Sequence, residues 1–236
     1  MNENRSQSRL ISVIWSFALA LFAVSASIAV PILWRGFYAL HIDALQLSAH
    51  TGFSRDKILE AYNEMMDFCV KGAPFGTGAL KWSEDGMRHF EDVRMLFMLD
   101  LRVLYGTTVL MIVLFAVLRK IAPYRFLGRG PSFFAGAGLL VCSAILTFLA
   151  ALDFDRAFVV FHRIFFPGKT NWIFDYRTDE IILILPQVFF RNCAIFAVLL
   201  LALFCVGYLI AGRRRQLLPH VSVTVARASV RTSDQS

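Results

Sequence analysis

Residues 10–34 read LISVIWSFALALFAVSASIAVPILW, a run without a single charge, with Arg9 before it and Arg35 after it. About 20 helical residues cross a hydrocarbon core of roughly 30 Å. Unpaired backbone N–H and C=O groups are too costly in lipid for an open extended chain, so such a run crosses as a helix. Val24-Ser25-Ala26 resembles a small-residue cleavage site. The apolar run continues past it through Ile32 and Leu33, beyond the roughly 7–15 residues of a signal-peptide core. The stretch is therefore read as a retained membrane span.

Three further runs repeat the pattern. Residues 98–118 are apolar apart from Asp100 and Arg102, and residues 133–152 and 192–211 carry no charge. They account for the 57% hydrophobic and 17% charged composition, against about 25% charged in an ordinary soluble domain. The expected fold is an all-α membrane protein with four transmembrane helices. Residues 1–212 form a single polytopic domain, and the segments 35–97 and 153–188 form a cap. Residues 213–236 form a basic tail with no periodic apolar face, expected to be disordered.

Lys/Arg asymmetry orients the spans. The amino-terminal arm, the 119–130 link and the tail together carry eleven basic residues against Glu3 and Asp234. The two larger segments hold eleven basic and fourteen acidic residues. Both termini and the short link are thus expected in the cytoplasm and the cap outside it. The net charge of +7 is mainly a topology signal. The basic residues lack interleaved aromatics and sit beside membrane, which argues against nucleic-acid binding.

Of the four cysteines, Cys142, Cys193 and Cys205 lie in or at the edge of spans, and Cys69 has no evident partner in the cap. No disulfide framework follows. The chain has no G-x-S-x-G, no phosphate-cradling glycine loop and no H-E-x-x-H. Ser54 is a helix N-cap candidate, with Ile58, Tyr62, Met65, Met66 and Cys69 at helical spacing behind it. A second helix is expected to start near Ser83 and run without a breaker into the 98–118 span.

The chemistry-bearing residues lie in the cap. His89 precedes Met98 by nine residues, and His162 follows Leu152 by ten. At 1.5 Å per helical residue both imidazoles reach about 13–15 Å beyond the span ends, a height at which they can meet. Asp92, three residues from His89, shares its helix face and is a candidate to fix the imidazole tautomer. His162 is flanked by Phe158, Phe161, Phe165 and Phe166. Such a histidine is either packed and inert or placed for chemistry. A zinc site from two histidines and Asp92 lacks tight ligand spacing, and no histidine lies within a span to ligate haem, so no metal or cofactor is called for. General acid–base work at a lipid ester suits a side chain with an ordinary pKa near 6.5. His41 and His50 read as polar loop residues, and His220 falls in the tail.

These residues carry a resemblance. His89-Phe90-Glu91-Asp92-Val93-Arg94-Met95-Leu96-Phe97 resembles the H-[FM]-x-D-V-[KR]-x-L-F motif of a family of small bacterial four-span membrane proteins. Phe161-His162-Arg163-Ile164-Phe165-Phe166, followed by Trp172, Asp175, Asp179 and Pro186, resembles its second motif. The family is that of the lipoprotein intramolecular transacylase. The resemblance implies transfer of the sn-2 acyl chain of a diacylglyceryl-cysteine lipoprotein to that cysteine's own α-amino group. It implies location in the bacterial cytoplasmic membrane, with the site on the extracytoplasmic side. The partners would be diacylglyceryl-modified lipoproteins and membrane lipid. His89, His162 and Asp92 would be catalytic. Arg191, Arg102 and Trp172 are candidate contacts for lipid headgroups or the exported peptide, the alternative for all three being interfacial anchoring. The rival reading is a non-enzymatic scaffold or transporter accessory whose cap binds a partner.

Overall fold

A computed structural model describes residues 2–213. The expected disorder of the tail concerns residues that, Arg213 aside, lie outside the described part. Among the described residues there are nine helices and no strand. Four are long and apolar enough to cross a membrane: α1 (Asn2–Leu33), α5 (Glu84–Leu118), α6 (Pro131–Leu152) and α9 (Gln187–Gly212). Helix α1 packs against the other three, and α6 packs against α9. Gly136 lets α6 approach closely, since a Cβ there would stand 2.8 Å from the Cys205 carbonyl oxygen. Phe17, Ile112, Leu146 and Leu203 remain 66–69% exposed, which is the surface of a bundle solvated by lipid rather than water.

At one end the 119–130 link is tied to the termini of the spans. Ser8 donates to the Ala122 carbonyl, Tyr124 N–H donates to Ser12 Oγ, and Gly130 N–H donates to the Gly212 carbonyl. The other end carries the cap: α2 (Arg35–Ala44), α3 (Leu47–Thr51), α4 (Arg55–Lys71), α7 (Phe154–Phe165) and α8 (Ile181–Ile184). As expected, Ser54 caps α4, accepting from Lys57 N–H, and α4 buries Ile58, Tyr62, Met65, Met66 and Cys69. The cap has its own core, with Tyr38 stacked on Tyr62 at 3.6 Å and Tyr38 Oη donating to the Ile184 carbonyl. All four cysteines are free.

Helix α5 runs unbroken for 35 residues, about 52 Å at 1.5 Å per residue. That exceeds the bilayer core, so its first turns belong to the cap while the remainder spans. The route to His162 differs from a straight extension of the preceding span. The chain breaks at Asp153, which ends α6 and caps α7 by accepting from Arg156 N–H. An Asp that offers its carboxylate to the backbone starts a new helix more readily than it continues an old one. His41, expected in a loop, lies in α2, where Nδ1–H donates to the Phe37 carbonyl and Nε2 accepts from Asn192.

Candidate active site

His89 and His162 come together. Their ring centroids lie 5.9 Å apart with planes inclined by 30°, although 73 positions separate them in sequence. Each is at most 7% exposed.

Local sequence dictates how each is held. In α7, Phe158 and His162 are four apart and share the inward face, while Phe161, Ile164 and Phe165 form an exposed apolar face. An exposed apolar face of this kind suits contact with a membrane surface. His162 Nδ1 sits 2.8 Å from the Phe158 carbonyl. A carbonyl only accepts, so Nδ1 carries the proton and Nε2 keeps its lone pair. Phe158 and Trp172 pack on the ring at 4.3 and 4.6 Å. His89 is boxed by Phe166 and Phe174, each edge-on within 5.4 Å. Its Nδ1 is buried without a partner, so the tautomer protonated on Nε2 avoids an orphaned N–H and makes Nε2 the ring's donor.

Burial drives both imidazoles to their neutral forms. It holds His89 down at about 4, with the facing His162 adding to the effect, and it lowers His162 from its ordinary value as well. The pair therefore offers one acceptor nitrogen and one donor nitrogen near neutral pH.

The two rings stand at the head of an apolar cavity of about 480 Å³, within the roughly 300–1,000 Å³ typical of small-molecule sites. Its walls come from α1, α4, α5, α7, α8 and α9, and Ile32, Phe97, Phe190 and Ala197 are among the residues that line it with the histidines. A second, polar cavity of about 710 Å³ adjoins the start of α5 and is lined by Asp92, Lys169, Asn171 and Asp179 among others. Among the described residues no three His, Cys, Asp or Glu side chains converge as a metal donor set would.

The remaining sequence candidates fare differently. Asp92 does not hold His89. Its carboxylate is ion-paired with Lys169 Nζ at 2.5 Å and accepts from Asn171 Nδ2 at 3.4 Å. The partners come from the turn after Pro167-Gly168, which the periodicity of α5 alone does not reveal. Trp172 stacks on His162 and lines the apolar cavity. Arg102 and Arg191 are exposed and line neither cavity. Arg102 lies thirteen residues beyond His89, about 20 Å along α5 and on its opposite face.

Lys169, Asn171, Phe174 and Asp179 were not singled out as site residues from sequence. Asp179 is 4% exposed and accepts from both the backbone N–H and the hydroxyl of Ser83, the N-cap of α5. That clamp ties the segment after His162 to the helix bearing His89.

Comparison with known proteins agrees with this architecture. Among curated proteins none matches the chain. In meso structures of the membrane-integral lipoprotein intramolecular transacylase Lit from Bacillus cereus match it in fold. One shows 22% identity and a TM-score of 0.80, covering 87% of this chain and 94% of the other. A variant of that protein with one histidine replaced by alanine matches at 21% identity and a TM-score of 0.74, covering 87% and 92%. The corresponding arginine variant matches at 21% and 0.73, covering 87% and 90%. The family described as lipoprotein intramolecular transacylase Lit matches residues 13–190. This multi-pass membrane chain belongs to the lipoprotein intramolecular transacylase Lit family.

Proposed function

We propose that the protein is an intramolecular O-to-N transacylase. It moves the sn-2 acyl chain of a diacylglyceryl-cysteine lipoprotein onto the α-amino group of that cysteine, leaving an N-acylated lyso-lipoprotein. The observation that carries this reading is the stacked pair His89 and His162, one nitrogen accepting and one donating, at the head of a cavity fit for lipid.

In the reaction a C–N bond forms and the sn-2 C–O bond breaks, and one amine proton ends on the departing glyceryl oxygen. The substrate supplies its own nucleophile, so a serine or cysteine nucleophile is not needed. His162 Nε2 takes a proton from the attacking amine. His89 Nε2–H donates a hydrogen bond to the oxyanion of the tetrahedral intermediate, and the proton held by His162 passes to the leaving oxygen, so that both rings end neutral. The apolar cavity holds the migrating chain, and the fixed rings keep amine and ester in attack geometry. The protein acts in the bacterial cytoplasmic membrane, with both termini cytoplasmic and the cap outside, a reading supported by the charge asymmetry of the connecting segments.

Expression in cells that lack other N-acylating enzymes tests the proposal. The lipoproteins should acquire an N-acyl chain and retain a single ester-linked chain. Unchanged diacylglyceryl peptides beside well-folded protein would instead point to a scaffold.

A further inference from the structure

Asp92 and Lys169 line the polar cavity, which shares the wall residue Phe174 with the apolar one, and remain unexplained by the roles given to the histidines. The Asp92 carboxylate is 7% exposed, whereas the Lys169 side chain is 48% exposed and reaches in from the turn that follows Gly168. A buried carboxylate needs a partner, and here the partner is a flexible ammonium reaching in from a surface turn. Asp92 and His89 lie one turn apart on the same face of α5. A substrate whose acyl chain lies in the apolar cavity and whose ester meets His89 would carry its α-nitrogen within about one helical turn of Asp92. Two buried atoms there have no hydrogen-bond partner, His89 Nδ1 and Asn171 Oδ1, and the Asn171 amide already donates to Asp92.

We propose that Asp92 is the subsite for the substrate's α-ammonium, and that Lys169 occupies it as an internal stand-in until substrate arrives. The inference rests on the transacylase reading, since it takes the acyl acceptor to be a primary amine. Both competitors are primary ammonium groups, so exchange never strands the buried carboxylate. The incoming group brings three N–H donors to a place with unpaired acceptors. Asp85, Glu91 and Asp179 in the polar cavity's wall outnumber Arg88 and favour a cation approaching from that side. The bound ammonium loses one proton to solvent to become the attacking amine, and once acylated the nitrogen is an uncharged amide with no hold on Asp92. Lys169 then returns, and the exchange favours release of product.

The test uses full-length protein in lipid nanodiscs and two unreactive probes, diacylglyceryl-cysteine peptides with ether-linked chains. One has a free α-amine and the other is N-acetylated. Wild-type protein at pH 7 should bind the free amine about tenfold more tightly. Asp92→Asn should erase that preference. Lys169→Gln, which removes the competitor, should widen it by about threefold, and Lys169→Arg, a stronger competitor, should narrow it. Equal wild-type affinities, or a preference that Lys169→Gln reduces as Asp92→Asn does, would reduce the pair to a structural clasp and overturn the proposal. Product formation from the natural ester is scored separately. Wild-type turnover without amine preference refutes the subsite alone, and amine preference without turnover refutes the reaction alone.

Discussion

His41 and His162 have the same local arrangement and different fates. Each donates Nδ1–H to the carbonyl four residues earlier in its helix. His41 Nε2 is then occupied by Asn192, whereas no hydrogen bond engages His162 Nε2 among the described residues. Replacing His162 by Ala should lower product formation by about 10²–10⁴-fold, the usual worth of a general acid–base group, with membrane insertion retained. Replacing His41 by Ala should instead cost about 1 kcal/mol of stability, read as a lowered Tm, with turnover persisting. Acid should loosen the site for a related reason. Burial holds the imidazoles neutral, His89 at about 4 against 6.5 in the unfolded chain. Between those values the unfolded state binds more protons, so stability should fall as pH drops from 6.5 towards 4 and level off below. A His89→Gln variant should show a shallower decline in Tm over that window. The histidine pair was legible in the sequence because both imidazoles abut spans and lie in recognisable motifs. Lys169 was not, because its meaning depends on Asp92, 77 positions away.

Helix α5 is the element on which the site turns. Its first turns carry His89 and Asp92, its remainder crosses the membrane, and its start is fixed by Ser83 and Asp179. Gly86 is needed there because a Cβ would run into Asp179 Oδ1. Ser83→Ala should cost about 1 kcal/mol as a lost cap. Gly86→Val should reduce turnover further at a given loss of Tm, because it pushes the α7–α8 segment off the helix that carries His89. Circular dichroism with turnover on the same preparations separates the two effects. The caps at Ser54 and near Ser83 and the apolar face of α4 were readable from spacing alone. The break at Asp153 was not, because an aspartate between two apolar helices can be passed through or can cap, and packing decides which.

At the scale of the whole molecule, four apolar spans carry a mixed-charge cap at one end, and both cavities include residues of that cap. The spans were legible because lipid imposes length and polarity on them. The cavity was not, because it arises from how α1, α5 and α9 lean together with α4, α7 and α8 of the cap. Arg102 and Arg191 lie outside it, so Arg102→Ala and Arg191→Ala should each leave product formation within about twofold, the small effect usual for exposed charges. The most direct test of the account uses purified protein and two synthetic diacylglyceryl-cysteine peptides of different mass, only one of them isotopically labelled in its sn-2 chain. Mass spectrometry should find the label as an N-acyl group on the same peptide that began with it, with one ester chain remaining. Label still at the sn-2 ester, or label transferred to the other peptide, would contradict an intramolecular transfer assisted by His89 and His162.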